Sequence, residues 1–433
     1  MRDYAKGMES AEVVVVGGGA AGLAAFQQLR AAGCDAVLVE ARDRLGGRIH
    51  TLHPHGWPLP VELGAEFIHG PADGFGIEVA PVPPGRDWSS RGCGLRAAGE
   101  FAGGAEAVFE RMAGWEGPDL SFAAFLDTCR DLDAGARAGA AAFIEGYEAA
   151  DLTRISIAAL NREFAADSSD HGPWPRRPLG GYDRLLAKLH APGRTRLSWP
   201  VAAVNWREGE VLLTGPGGES VASRRAILTL PLSLLQRGAI RFDPPLDAKR
   251  AALDRLAMGG ALRITLRLRR AFWQDLRDSD GQRLDGLRFL FGDSPESGHL
   301  PTWWTHIGQE AQGAQIVGWA GGRQAWALAG RSAAALSDLA CADLASRLGL
   351  KPATVAGEVL ATHVHDWQTD GWSLGAYSYA TVGGSGAFAA LAEPLRDTLF
   401  FAGEATDATG HHATVQGAVA SGRRAAGEAL ARL

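Results

Sequence analysis

The segment from Val13 to Glu40 limits the fold more than any other part of the chain. Val13-Val14-Val15-Val16 is a β-branched run suited to a buried strand, and it leads into Gly17-Gly18-Gly19-Ala20-Ala21-Gly22. Leu23 to Ala32 carries apolar residues at helical spacing and stops at Gly33, and a second apolar run, Ala36 to Val39, ends in Glu40. Strand, glycine turn, helix, strand and acid within about 30 residues make one βαβ unit with a G-x-G-x-x-G turn. Gly17 permits the tight bend, Gly19 lets a pyrophosphate approach the backbone, and Gly22 lets helix and strand pack closely. The helix beginning at Ala20 and Ala21 offers unpaired N–H groups and a positive dipole end to phosphates. Glu40 is placed to accept hydrogen bonds from ribose hydroxyls. The same unit serves NAD and FAD, so it does not choose between them.

Composition bounds the rest. A chain of 433 residues is expected to form two or three domains. Apolar residues make up 46% and charged residues 21%, which excludes wholesale disorder. The net charge of −6, with both signs interspersed, argues against a nucleic-acid partner. No run of about 18 apolar residues predicts a membrane span, and the polar start lacks a secretory h-region. Cys34, Cys93, Cys129 and Cys341 show no CxxC spacing. They read as buried thiols in a reducing compartment, and a cytoplasmic protein is expected.

Beyond the opening unit, Pro71 to Arg96 reads as loop and Gly104 to about Leu160 as mainly helical. A helix is expected over Asp183 to His190, and strands over Ser198–Asn205, Val211–Thr214 and Arg225–Leu230. Gly260 to Arg269 alternates, with Leu262, Ile264, Leu266 and Leu268 on one face and Arg263, Arg267 and Arg269 on the other. That pattern predicts a half-solvated strand, with Ile316 to Ala320 as its neighbour. A last strand, Thr398 to Ala402, leads through a loop to a helix from about Thr414 to Leu430.

The stretch after the acid, Glu40-Ala41-Arg42-Asp43-Arg44-Leu45-Gly46-Gly47-Arg48, adds two glycines and a cationic fork. With it the sequence resembles the flavin-containing amine oxidases, the family of monoamine oxidases, polyamine oxidases and lysine-specific histone demethylases. Four blocks carry the resemblance: Val13 to Gly22, Val39 to Thr51, Val61 to Gly70 (VELGAEFIHG) and Leu399 to Gly422 (LFFAGEATDATGHHATVQGAVASG). Thr229-Leu230-Pro231-Leu232, Met258 to Trp273 and Gly371 to Gly384 match more weakly.

The resemblance implies an α/β protein: a discontinuous Rossmann-type FAD-binding domain (10–70, 180–238 and 390–433) and a substrate domain of mixed sheet and flanking helices (71–179 and 239–389). It implies that Gly17, Gly19, Ala20, Ala21 and Gly22 hold the pyrophosphate of FAD, and that Glu40, with Ala41 and Arg42 beside it, holds the adenosine ribose. Gly47 and Arg48 would reach the phosphates, and Gly64-Ala65-Glu66-Phe67 would run beside the isoalloxazine. Val204 would meet adenine through its backbone, Pro231 and Gly403 would border the cofactor, and Glu404 would face the ribityl-phosphate region. Thr414 and Val415 would open a helix under the flavin, where a dipole stabilises charge on the reduced ring.

Two departures from the family pattern stand out. Covalent members attach flavin through a cysteine before a cage tyrosine; here Gly375-Ala376-Tyr377 has no thiol, so non-covalent FAD is expected. Tyr377 matches one wall of an aromatic substrate cage, and the opposite wall falls on Thr414, which predicts a half cage. The family's catalytic lysine falls on Arg263, nine residues before Phe272. Arginine cannot act as a base, but it can position water or bind a substrate carboxylate, unless it points to solvent with Arg267 and Arg269. His69 matches a histidine of the polyamine-oxidase tunnel. The pairs His53/His55, His363/His365 and His411/His412 lack a third ligand at metal spacing, so no metal is expected. Trp303, Trp304, Trp319, Trp367 and Trp372 are expected to wall the substrate cavity or to lie in the core.

The expected activity is hydride transfer from an amine α-carbon to flavin, with oxygen as acceptor. Oxidation of amino acids or other carboxylated or apolar substrates, and a non-catalytic flavin-binding scaffold, stay open as alternatives because of Arg263. No segment resembles the helical insertion of chromatin demethylases, so no nucleosome partner is expected. Sequence patterning does not determine the oligomeric state.

Overall fold

The computed structural model describes residues 9–69, 75–90, 94–98, 105–168, 176–292, 299–311 and 313–433. Its opening unit forms as expected: strand Glu9–Val16, helix Ala20–Ala31 and strand Ala36–Val39, with the two strands parallel. Val13 and Val15 pack under the helix, while Val14 and Val16 face a second core layer on the other side of the sheet. A strand buried on both faces reads as a continuous apolar run because successive side chains point to opposite faces.

These strands sit inside an eight-stranded sheet. Its order is Arg241–Asp243, Ala203–Arg207, Glu210–Thr214, Ser220–Leu228, Glu9–Val16, Ala36–Val39 and Arg194–Arg196, with Leu399–Phe401 added parallel on Ser220–Leu228. The C-terminal helix Val415–Leu430 crosses Ala20–Ala31 closely: a Cβ on Gly422 would stand 2.1 Å from the Ala21 carbonyl oxygen.

A second, seven-stranded sheet runs in the order Val359–Val364, Ala261–Leu268, Ala314–Gly321, Thr302–Thr305, Leu287–Phe291, Arg86–Ser89 and Arg96–Ala97. The predicted pairing of Ala261–Leu268 with Ala314–Gly321 is present and antiparallel. The predicted half-solvated character is not. Leu262, Ile264, Leu266 and Leu268 pack against helix Ala333–Arg347, and on the other face Arg263 and Thr265 are also buried. Arg267 lies over the ring of Trp57, 4.4 Å from its centroid. Alternation of apolar and polar residues reports two faces, and here both are covered.

Pro71 to Arg96, read as loop, is corrected over its described part. It holds the short strand Val79–Pro81, the strand Arg86–Ser89 and the start of a third strand, Arg96–Ala97. Strands this short leave no periodic signal among prolines and glycines. The expected helical stretch forms helices Glu106–Ala113, Phe122–Thr128, Ala134–Tyr147 and Ile157–Ser168 around Val108, Phe122, Phe125, Ile144 and Leu160; its start at Gly104 lies outside the described residues. Cys34, Cys129 and Cys341 are free and buried, and Cys93 lies outside the described residues. Among the described residues no helix is long and apolar enough to cross a membrane.

Candidate active site

The glycine turn is shaped by close backbone packing. Gly17 has φ +106°, and a Cβ there would meet Thr229 Oγ1 at 2.4 Å; that hydroxyl donates to the carbonyls of Val16 and Gly17 at 2.8 and 3.1 Å. A Cβ on Gly22 would stand 1.8 Å from the Gly17 carbonyl oxygen, so neither position accepts another residue. Gly19 begins the helix with extended backbone and no side-chain cap, which leaves the first N–H groups of Ala20–Ala31 unpaired by side chains. Opposite it is bare backbone, with Gly47 Cα 4.0 Å from where a Gly19 Cβ would be. A glycine-walled cradle at an uncapped helix N-terminus fits a pyrophosphate.

Glu40 is buried at the end of its strand, where Oε2 accepts from Gly18 N at 2.6 Å and Oε1 from Arg42 N at 2.8 Å. Each oxygen keeps a lone pair, so the carboxylate can still accept from a ribose. The Arg42 guanidinium is committed elsewhere: it pairs bidentately with Asp370 at 2.7 and 2.6 Å and donates to Ser373. Burial pushes the Asp370 carboxyl up, but His365 and Arg42 outweigh it and hold the group below the usual carboxylate range. The Arg42 side chain therefore anchors the 370–373 turn. Arg44, which sequence reasoning passed over, braces the next turn by donating to the carbonyls of Leu45, Gly47 and Ile49.

Arg48 lies at the junction of the segments. Nη1 donates to Glu404 Oε1 at 2.9 Å and to the Ala376 carbonyl, and Glu404 Oε2 accepts from both the backbone N and the hydroxyl of Ser378. The two charges neutralise each other beside the segment that carries Tyr377. Gly403 bonds through its N–H to Ser421 on the C-terminal helix. Gly64 is pressed against the Arg48 carbonyl, where a Cβ would stand at 1.9 Å, and Trp367 Nε1 donates to Leu63 O at 2.8 Å. These contacts fix the course of Gly64-Ala65-Glu66-Phe67. Pro231 caps the short helix Leu232–Gln236. Val204 lies inside the sheet with Leu213 on one side and Phe242 on the other, so its main chain is taken up by strand neighbours. The expectation that it meets adenine through its backbone is corrected.

On the candidate substrate side, Tyr377 is half-buried and its hydroxyl donates to the Tyr147 carbonyl at 2.7 Å. Burial, then the nearby carboxylates Glu148 and Glu163, push its pKa well above the ordinary value, so it stays a neutral donor. Tyr147, missed in the sequence because it sits in an alanine-rich helix, links the site together. Its ring stacks on Phe143 at 5.2 Å, and its hydroxyl meets His69 Nδ1 at 3.1 Å. The His69 carbonyl accepts from Gln416 on the C-terminal helix. Thr414 is a helix cap: Oγ1 accepts from Gly417 N at 3.0 Å and donates to His411 O at 2.7 Å. Its hydroxyl is thus spent on the backbone. Val415 follows as the first residue of the helix.

Arg263 is 4% exposed, which overturns the solvent-facing reading. Its Nη2 lies 2.5 Å from Glu66 Oε2, while Glu66 Oε1 accepts from Arg177 Nε at 2.6 Å. Trp304 Nε1 donates to the same carboxylate, and His306 Nε2 stands 3.5 Å from it. Burial would raise the Glu66 pKa, but Arg263, then Arg177, hold it down to about 2. Burial, then Arg177, lowers His306 to about 4, so it is neutral at pH 7. Glu66 thus does more than border a cofactor: its side chain is the counter-ion of two buried arginines.

Of the tryptophans, Trp304 and Trp319 flank Arg263, Trp303 is in the core bonded to Asp343, Trp367 pins Leu63, and Trp372 is 43% exposed, against expectation. His53 pairs with Asp183, His365 with Asp370 and His412 with Glu163. Among the described residues no group of three or more His, Cys, Asp or Glu side chains is arranged to hold a metal ion.

Fold and turn together define an α/β protein with a Rossmann-like dinucleotide-binding unit. Residues 15–75 match the NAD(P)-binding Rossmann-like domain, and residues 100–430 match the flavin-containing amine oxidoreductases. The chain belongs to the flavin-containing amine oxidoreductase family. It is 28% identical to lysine-specific histone demethylase 1B of Mus musculus over 97% of this chain and 53% of that protein. It is also 28% identical to polyamine oxidase 3 of Oryza sativa subsp. japonica, over 97% and 89% respectively. The chain thus spans about half the length of the histone demethylases it matches. In fold it is similar to putrescine oxidase bound to putrescine (TM-score 0.80, 24% identity, 98% and 100% of the two chains). It is likewise similar to cyclohexylamine oxidase from Brevibacterium oxydans (TM-score 0.78, 21% identity, 96% and 98%).

Proposed function

We propose that the protein is an FAD-dependent amine oxidase whose cofactor is bound without a covalent link. The observation that carries this reading is the uncapped, glycine-walled helix N-terminus beside Glu40, placed in a chain of this family. Bound FAD would take a hydride equivalent from the amine α-carbon, leaving an imine that hydrolyses, and oxygen would return it to the oxidised state with release of peroxide. Gly17, Gly19, Ala20, Ala21, Gly22 and Gly47 would hold the pyrophosphate and Glu40 the ribose. Ala65 and Phe67 would line the ring system.

The chain's own part is to orient the amine and exclude water. Tyr377, with its proton tied to Tyr147, offers an aromatic face and no base. His69 is held in place by the Tyr147 hydroxyl and, at its carbonyl, by Gln416. Arg263 holds a fixed charge and moves no proton. Residues 10–70, 180–238 and 390–433 would form the FAD domain, and 71–179 and 239–389 the substrate domain. The two large sheets share no strand, which supports this division except at Arg241–Asp243, which pairs within the first sheet. Three free buried cysteines are compatible with a cytoplasmic location, and none adjoins Tyr377.

The test is anaerobic. The visible spectrum of the purified protein is recorded before and after adding monoamines, polyamines and amino acids. Bleaching of the flavin band by an amine supports the reading; a flavin-loaded protein that no amine bleaches would defeat it.

A further inference from the structure

Resting on the reading just given, we infer that the buried Arg263–Glu66–Arg177 cluster makes this an oxidase of amines that carry a carboxylate, and that it disfavours di- and polyamines.

The inference begins with a charge count. Two guanidiniums share the single carboxylate of Glu66, Arg263 at 2.5 Å and Arg177 at 2.6 Å, which leaves one positive charge over. His306 does not cancel it, being neutral, and Glu62, the next acid along the chain, is pushed by burial up to about 7, so it is only part-ionised there. Both arginines are fixed: Arg263 lies 5.6 Å from the Trp304 ring centroid and Arg177 4.7 Å from that of Phe67. Arg263 also has donors to spare. Its Nε and Nη2 are buried and make no hydrogen bond, the Nη2 contact with Glu66 being an ion pair outside hydrogen-bonding geometry. Unused buried donors on a guanidinium are costly unless an acceptor arrives.

Register ties this charge to the candidate site. Arg263 and Trp319 are directly opposed across the antiparallel pair, so their side chains share one face. Trp319 and Tyr377 both pack against the small cluster Ala149, Ala261 and Ala376, and Trp319 donates to the Gly146 carbonyl, next to the Tyr147 carbonyl that accepts from Tyr377. An amine seated at Tyr377 would therefore share this alanine-walled corner with Trp319, the cross-strand neighbour of the surplus charge on Arg263, in surroundings where water screens little. On the Tyr377 side the carboxylates of Glu148 and Glu163 are the charged groups that act on the tyrosine. Ammonium at one end and carboxylate at the other match this polarity, whereas a second ammonium meets repulsion.

Putrescine and δ-aminovalerate share one chain and differ only in replacing one ammonium by a carboxylate, and phenethylamine and phenylalanine differ only by a carboxylate. With the flavin-loaded enzyme, kcat/KM is expected to favour the carboxylated member of at least one pair by about a hundredfold. Arg263→Met is expected to abolish that preference and Arg263→Lys to keep part of it. A binding measurement stands beside turnover: benzoate titrated calorimetrically into the loaded enzyme should bind, and about tenfold more weakly to Arg177→Gln, which keeps Arg263. If the plain amine of each pair is equal or better, the inference is overturned while amine oxidation stands. If no compound bleaches the flavin, the amine-oxidase reading fails, and benzoate decides the anion site alone. Binding that depends on the arginines would uphold it, and no binding would overturn it.

Discussion

Arg263 and Glu66 face each other across 2.5 Å with each side chain only 4% exposed, and Arg177 holds the other oxygen of the same carboxylate. The three residues come from the strand Ala261–Leu268, the segment after Val61–Glu62 and the strand Arg176–Pro178. One carboxylate thus fastens the loop expected beside the cofactor to the substrate-side sheet.

The sharing makes Glu66 the member whose loss costs most. Glu66→Gln leaves two buried guanidiniums without a counter-ion and is expected to destabilise by about 3–5 kcal/mol. Arg263→Met leaves Glu66 still paired with Arg177 and should cost less. Denaturant unfolding of both variants checks the order; an Arg263→Met loss equal to or above that of Glu66→Gln would show that Arg177 does not share the charge.

Two groups near this cluster oppose each other in pH. His306 falls from 6.5 to about 4 on folding, so the unfolded chain takes up the proton first and stability drops as pH falls from about 6.5 to 4. Glu62 rises from 4.5 to about 7, so the folded chain binds the proton first; its contribution is full below 4.5 and is lost as pH climbs to 7. Between 4.5 and 6.5 the two slopes offset. Glu62→Gln should uncover the His306 slope, with stability falling toward acid by up to about 1.4 kcal/mol per pH unit relative to wild type. Unfolding curves across that window check it, and parallel curves for the two proteins would refute the pairing.

Thr414 separates a structural role from a chemical one. Thr414→Ala removes a helix cap and is expected to cost about 1 kcal/mol while leaving the ranking of amine substrates as it was. Thermal unfolding and a substrate panel read the two effects. A changed ranking with unchanged stability would put Thr414 in the cage.

The shape of the glycine turn was largely legible because local chemistry dictates it. Gly17 must take a positive φ, Gly22 must admit the Gly17 carbonyl, and Glu40 must end the second strand, all within one stretch of chain. Thr229, from far along the sequence, completes that turn and could be sensed only through its block of residues. Tyr147 gave no signal, since an aromatic in an alanine-rich helix looks like any core residue until the helix is docked against Tyr377.

By itself, the sequence determined the βαβ unit, the family, the terminal helix and the absence of a thiol before Tyr377, since each depends on neighbouring residues or on ordered blocks. Tertiary structure alone decided where Arg42, Arg263, Glu66 and Thr414 spend their polar groups. Period-2 alternation puts Arg263 on the face opposite Leu262 and Ile264 but does not say what covers that face. Only folding, by bringing residues 66, 177, 304 and 306 over one strand, turned an apparently solvated arginine into a buried charge.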